Sequence, residues 1–66
     1  MIERRAVNYK VRFLKEDRMD IRKNEVYDCI SEWYDNGKLE RISVIDRSGE
    51  DYMYSPTLFE KVKQST

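Results

Sequence analysis

The chain has no histidine, one cysteine, one proline and two glycines among its 66 residues. Without histidine it lacks the commonest general base and the commonest metal ligand. The single Cys29 excludes an internal disulfide, and with no histidine it cannot complete a usual tetrahedral zinc site. A lone thiol is typical of a reducing compartment, so we expect a cytoplasmic protein.

Long apolar segments are also missing. No run approaches the roughly 18 residues that span a bilayer, and the start "MIERRAVNYK" lacks the apolar core of a secretory signal. We therefore expect no association with a membrane. The sequence shows no nucleophile–base pair, glycine-rich phosphate loop or metal-binding cluster, which predicts a protein without cofactor or enzymatic activity.

Charge is balanced overall but unevenly distributed. Residues 1–23 hold eight basic and four acidic residues, whereas residues 24–66 hold five and nine. Such asymmetry can mark a nucleic-acid surface; we favour the alternative in which the two halves pair with each other in the fold. We expect one domain over residues 1–66, ordered over about residues 8–62 and frayed at its ends.

Three strands are indicated by local patterns. "NYKVRFLK", residues 8–15, alternates apolar and basic side chains with the period of a half-buried strand. "EVYDCISEWY", residues 25–34, is rich in β-branched and aromatic residues and predicts a second, long strand. "LERISVID", residues 39–46, predicts the third.

Two turns connect the later strands. Asn36-Gly37 is a strong hairpin signal, because both positions of a two-residue turn need φ > 0. "DRSG" fits a type I turn with Gly49 in the left-handed region. These turns imply a register of eight cross-strand pairs: Asp35–Lys38, Tyr34–Leu39, Trp33–Glu40, Glu32–Arg41, Ser31–Ile42, Cys29–Val44, Val44–Tyr52 and Ile42–Tyr54.

The ending "GEDYMYSPTLFEKV" predicts how the sheet is completed. Pro56 has no N–H and cannot continue a central strand, so "SPTLF" predicts a 3₁₀-like turn that brings Phe59 to plug one end of the sheet before a short last strand. Five short strands then form a small closed all-β barrel, which removes exposed edges. The predicted core is Tyr9, Val11, Phe13, Tyr27, Cys29, Ile42, Val44, Tyr52, Tyr54 and Phe59.

This arrangement resembles the SH3-like barrel over roughly residues 8–62. "MDIRKNEVYDCI" resembles the diverging turn of that fold, with Asn24 where glycine is usual; asparagine tolerates the same left-handed geometry. "GEDYMYSPTLFEKV" resembles the ending of the family and is similar to short bacterial and phage proteins. The resemblance implies the fold and a bacterial or phage context, but the fold hosts many activities. The polyproline-peptide site is not implied, because Leu39 and Glu40 stand where that site has tryptophan.

Two aromatic residues beside the Asn-Gly turn are the best candidates for a binding site. Trp33 and Tyr34 are adjacent, so a strand points them to opposite faces. With Leu39 opposite Tyr34 they predict a patch at the rim of the barrel that binds a protein partner. The equally weighted alternative is that Trp33 caps the core. We interpret "DRSGED" as a hairpin turn rather than a calcium loop, and Cys29 as a buried apolar residue rather than a nucleophile.

The sequence therefore predicts a non-catalytic interaction module with a protein partner. The alternative is a nucleic-acid-binding barrel with phosphates on cations and bases on aromatic rings, although the domain is neutral overall. Its candidate residues lie in the first strand and the following loop: Lys10, Arg12, Lys15 and Arg18. A third hypothesis is a domain that acts by homodimerising, so the predicted state is a monomer or a weak homodimer.

Overall fold

In the computed structural model, residues 1–63 are described, and their strands form one antiparallel sheet. The order across the sheet is β4-β3-β2-β1-β5. The all-β prediction with a single 3₁₀ turn is confirmed, and no helix among residues 1–63 has the length and hydrophobicity needed to cross a membrane. The elements are β1 (Ile2–Phe13), β2 (Val26–Asp35), β3 (Lys38–Ile45), β4 (Asp51–Tyr54), the 3₁₀ turn (Pro56–Leu58) and β5 (Phe59–Lys61).

The predicted turns are confirmed by the backbone angles. Asn36 and Gly37 have φ of 52° and 79°, which places both in the left-handed region that a two-residue hairpin needs. Gly49 has φ of 85°, as expected of the residue that closes the β3–β4 turn. Asn24, at φ 68°, adopts the left-handed conformation expected before β2.

The predicted β2–β3 register is right at both ends and wrong in the middle. The Asp35–Lys38, Tyr34–Leu39 and Cys29–Val44 pairs are confirmed. Between them, one irregularity near Glu40 places Arg41 opposite Trp33, and a second near Ile30 restores the register. The predicted pairs Trp33–Glu40, Glu32–Arg41 and Ser31–Ile42 are therefore wrong; the observed pairs are Trp33–Arg41, Glu32–Ile42 and Ser31–Ser43.

Irregularities in β1, β2 and β3 lie side by side and curve the sheet. One cross-strand row consists of Ala6, Ser31 and Ser43, and the next matched row on all three strands consists of Tyr9, Cys29 and Val44. Between these two rows, β1 advances by three residues, β2 by two and β3 by one. An extra residue bends its strand and increases the local twist. The bend is thus distributed over three strands. β4 and β5 do not pair with each other among residues 1–63, so the sheet is open between them.

β1 begins at Ile2, well before the predicted start at residue 8. Its first residues pair with the end of β2, from Ile2–Asp35 to Ala6–Ser31. The sequence of this part of β1 does not alternate between apolar and polar residues, because both of its faces are largely exposed. The N-terminal end that the sequence predicts to be frayed thus includes the first residues of β1. The predicted fraying at the other end falls, for residues 64–66, outside the described residues.

The core lies on one face of the sheet, which we call the inner face; the opposite one is the outer face. Its buried apolar residues are Val11, Phe13, Ile21, Tyr27, Cys29, Ile42, Val44 and Phe59. Phe59 takes the predicted plugging position, with its ring centroid 5.3 Å from that of Phe13 and 5.6 Å from that of Tyr54.

Three departures from the predicted core have physical causes. Tyr9 and Tyr54 are half-buried, packed against the core with their hydroxyls on carboxylates. Tyr52 is 49% exposed, because β4 is a short edge strand at the limit of the inner face. Ile21 is fully buried although it lies in the loop between β1 and β2, which folds back over this face.

Candidate functional site

Residues 2–6, 31–35 and 38–41 form a three-stranded extension of the sheet, which we call the hairpin end. It extends beyond its neighbours because β4 pairs with β3 only from Ile42 onward, and β5 pairs with β1 only from Val11 onward. The predicted rim residues lie here on opposite faces. Trp33 is on the outer face, whereas Tyr34 and Leu39 are cross-strand partners on the inner face.

Trp33 is half-buried and held in a defined orientation. Its indole Nε1 donates a hydrogen bond of 2.8 Å to the Ser43 hydroxyl on the neighbouring strand. Ser43 and Ser31 are themselves buried. The indole therefore covers a strip of small residues on the outer face, and the rest of its surface remains accessible.

Trp33 is the centre of a cross-strand row that we call the arginine row: Arg4, Trp33 and Arg41. Arg4 is opposite Trp33 on β1, and Arg41 is opposite it on β3. The Arg4 guanidinium lies 5.9 Å from the indole centroid. Among residues 1–63, the Arg41 guanidinium donates only to the Glu40 carbonyl, at 3.3 Å. Neither arginine forms a salt bridge with any residue in the part of the chain that is described.

On the inner face, a carboxylate joins two tyrosines. The Tyr9 hydroxyl donates to Glu32 Oε2 at 2.6 Å, and the Tyr34 hydroxyl donates to Oε1 at 2.9 Å. Two cations stack on the tyrosine rings: the Arg5 guanidinium is 4.4 Å from the Tyr34 centroid, and the Lys61 ammonium is 4.4 Å from the Tyr9 centroid. We call this set the tyrosine–glutamate network.

The pKa values of two tyrosines of this network and of the nearby Cys29 thiol are raised. Burial, followed by the hydrogen bond to Glu32, raises the pKa of Tyr9 far above its ordinary value. The hydrogen bond to Glu32 is the main cause of the raised pKa of Tyr34. Burial also raises the pKa of the Cys29 thiol. At neutral pH these groups therefore stay protonated, and the Cys29 thiol is also fully buried.

A shallow groove of about 260 Å³ lies next to the network on the inner face. Its lining is mainly apolar and includes Leu39, Ile42 and Phe59. Leu39 is half-buried and packs against the core. The two charged side chains that line the groove, Glu32 and Lys61, already contact the tyrosines. The groove is therefore the edge of the core, and its polar groups are satisfied within the chain.

The four predicted nucleic-acid-binding residues do not form one cationic surface. Lys10 makes a salt bridge with Asp28, and Arg12 makes one with Glu60 at 2.9 Å. The Arg18 guanidinium lies 5.6 Å from the Phe13 ring centroid, and Lys15 is exposed in the loop. Acidic residues of the second part of the chain thus neutralise basic residues of the first by cross-strand pairing.

The segment "DRSGED" is organised as a turn. Asp46 is buried, and its Oδ1 accepts hydrogen bonds from the backbone N–H of Ser48, at 2.9 Å, and from the Ser48 hydroxyl. The Gly49 N–H donates to the Asp46 carbonyl at 3.1 Å. Within residues 1–63 no group of three or more histidine, cysteine, aspartate or glutamate side chains is placed to hold a metal ion.

The sequence predicts Trp33 as a contact residue and places Arg4 in the basic first third of the chain, which could act together with Trp33 or Tyr34 in binding nucleic acid. It does not predict that Arg4 and Arg41 lie on either side of Trp33. The predicted register pairs Glu32 with the oppositely charged Arg41, whereas the observed register depends on the irregularity near Glu40. No signal in the local sequence marks that irregularity.

Comparison with known proteins gives no match: no family model, no curated protein and no solved structure matches this chain. Function is therefore inferred from the geometry of the described residues.

Proposed function

We propose that this chain is a small, non-catalytic interaction domain that binds a protein partner through the outer face of the hairpin end. The observation that carries the proposal is the arginine row, in which an accessible indole lies between two arginines that have no acidic partner among residues 1–63. Tryptophan and arginine are enriched among the residues that contribute most to binding energy at protein interfaces. The hydrogen bond from Trp33 to Ser43 also limits the rotamer entropy that the indole loses on binding.

Tyr34 and Leu39 support this surface from the inner face. Leu39 packs against the core, and the Tyr34 hydroxyl is bound by Glu32. These contacts hold the end of the β2–β3 hairpin in one position. Binding residues on rigid elements are placed more accurately than residues on loops. We therefore assign Trp33 to contact with the partner, and Tyr34 and Leu39 to the support of the contact surface.

The proposal includes an SH3-like barrel as the fold. It is supported by the left-handed Asn24 before β2, the 3₁₀ turn that begins at Pro56, and the pairing of the last strand with the first. The coincident irregularities in β1, β2 and β3 supply the curvature that a barrel needs. We also propose a cytoplasmic location, which suits the unpaired Cys29, and the bacterial or phage context that the resemblance implies.

A random peptide library selected on the immobilised domain tests the function. We expect the wild-type protein to retain a set of peptides that Trp33→Ala loses. Tyr52→Ala is the matched control, because Tyr52 is an exposed aromatic residue outside the hairpin end; it should retain the same peptides. Circular dichroism verifies that both variants are folded. If Trp33→Ala retains the wild-type set, the proposed surface is wrong.

The alternative is nucleic-acid binding through Lys10, Arg12, Lys15 and Arg18. It has less support, because Lys10 and Arg12 already pair with acidic residues. Phosphate contacts release counterions, so such binding falls steeply with salt. We expect only weak binding of single-stranded and duplex oligonucleotides at about 0.15 M salt. Sub-micromolar binding in fluorescence anisotropy, reduced by Arg12→Ala or Lys10→Ala, would favour this alternative instead.

A further inference from the structure

The spacing of the arginine row suggests the shape of its ligand. Arg4, Trp33 and Arg41 are cross-strand neighbours on three successive strands. Adjacent strands lie about 4.8 Å apart, so the backbones of the two arginines are separated by roughly 9.6 Å. Their side chains lie on the same face, on either side of the indole. A ligand that contacts both must therefore cross the strands over Trp33.

The charge of the row is available and partly pre-organised. The Arg4 guanidinium stacks near the indole. A stacked guanidinium keeps its N–H edge free for the two oxygens of a carboxylate. Arg5 provides the contrast, because it forms a salt bridge with Glu3 at 3.2 Å on the inner side. The positive charge of the hairpin end that has no acidic partner among residues 1–63 is thus concentrated on the outer face.

The surroundings of the row limit the length of its ligand. The next level of the outer face carries Ser31 and Ser43, which are buried beneath the indole. Farther along, the same face carries the Lys10–Asp28 salt bridge and the exposed carboxylate of Asp51. A long polyanion would meet the Asp51 carboxylate, whereas a short acidic segment would not.

We propose that the outer face of the hairpin end binds an extended acidic segment of a partner protein, with two carboxylates three residues apart on Arg4 and Arg41. In a polyproline II conformation, residues three apart lie on the same side at about 9.3 Å, which matches the separation of the arginines. The backbone between the carboxylates packs on Trp33. This inference rests on the proposed function and specifies the chemistry of its partner.

Titration of a synthetic peptide tests the inference, with the emission of Trp33, the only tryptophan of the chain, as the signal. The probe has a Glu-Pro-Pro-Glu centre with glycine–serine flanks, and its control has Gln-Pro-Pro-Gln. We expect the acidic peptide to change the emission and to bind more tightly than the amide peptide. Arg4→Gln and Arg41→Gln should each weaken binding about threefold to fivefold, as expected for exposed ion pairs. Added salt should weaken it further.

Arg47→Gln is the matched control. Arg47 lies in the turn at the other end of β3 and is exposed, so the same loss of charge there should leave the affinity unchanged. Equal affinity for the acidic and amide peptides would overturn the inference. If Trp33→Ala still loses the library peptides in that case, the proposed protein-binding function is retained and only the acidic partner is rejected.

Two further outcomes contradict the inference. If Arg47→Gln weakens binding as much as Arg4→Gln, the attraction is general electrostatics rather than recognition by the row. If a single-stranded oligonucleotide binds more tightly than the acidic peptide and depends on the same two arginines, the ligand is a nucleic acid.

Discussion

The Tyr9 hydroxyl donates a 2.6 Å hydrogen bond to Glu32 and thereby joins β1 to β2 where the core meets the hairpin end. The second oxygen of Glu32 accepts from Tyr34. A half-buried carboxylate is thus satisfied by two phenols, while the nearby cations lie on the tyrosine rings. Because burying a charge without partners is costly, these phenols explain how an acidic side chain can face the apolar side of the sheet.

The bond between Tyr9 and Glu32 should contribute measurably to stability. We expect Tyr9→Phe to lower the free energy of unfolding by about 1–2 kcal/mol, since the acceptor is charged and partly buried. A double-mutant cycle with Glu32→Leu, measured by urea unfolding, should give a coupling energy of about 1 kcal/mol. Tyr52→Phe is the control, because its exposed hydroxyl bonds Glu50; it should change stability by less than about 0.5 kcal/mol. Additive effects of Tyr9→Phe and Glu32→Leu would show that the two residues act independently.

Stability should fall in alkaline solution. Burial is the main cause of the raised pKa of Tyr9, Tyr27 and Tyr54 relative to the ordinary value of 10.0. Above that pH the unfolded chain loses phenolic protons that the folded chain retains, so the unfolded state becomes favoured. The contribution is fully present below about pH 10 and is lost as pH rises through the folded-state pKa values. Urea midpoints across this range should decline, and less steeply for Tyr9→Phe. A constant midpoint between about pH 9 and 11 would contradict the assignment.

Phe59 should be essential to the core. Its ring contacts Phe13 and Tyr54, and Phe59→Ala should cost about 3–5 kcal/mol, the usual range for a buried phenylalanine. In so small a domain that loss can abolish folding, so Phe59→Leu provides the milder comparison and should remain folded with reduced stability. Circular dichroism and urea unfolding measure both. A loss below about 1 kcal/mol for Phe59→Ala would show that Phe59 is not the plug of the sheet.

The loop between β1 and β2 should contribute to the core through one residue. Ile21 is 1% exposed, whereas Met19, two residues away, is 93% exposed. We expect Ile21→Ala to cost about 2–4 kcal/mol in urea unfolding, and Met19→Ala to change stability by less than about 0.5 kcal/mol. Equal effects of the two substitutions would mean that the loop does not pack on the sheet as described.

The local features of this fold could be read from short stretches of sequence. Asn36-Gly37 forms the expected turn because few residues adopt left-handed backbone angles readily. Pro56 begins the expected 3₁₀ turn because it lacks the N–H that a central strand requires. Alternation placed Val11 and Phe13 on the buried face, since successive side chains of a strand point to opposite sides. Each of these outcomes depends on the conformational preferences of a few adjacent residues.

Tertiary structure decided which residues meet across the strands. The irregularities near Ile30 and Glu40 let the sheet curve around its core, and that curvature depends on all the strands together. They bring Arg41 opposite Trp33, and the N-terminal part of β1 brings Arg4 to the other side. The amino-acid sequence by itself determined the turns, the strand faces and an aromatic residue beside the Asn-Gly turn. Only the packing of the whole sheet placed an arginine on either side of that residue, because cross-strand neighbours depend on register, and register here depends on the bend.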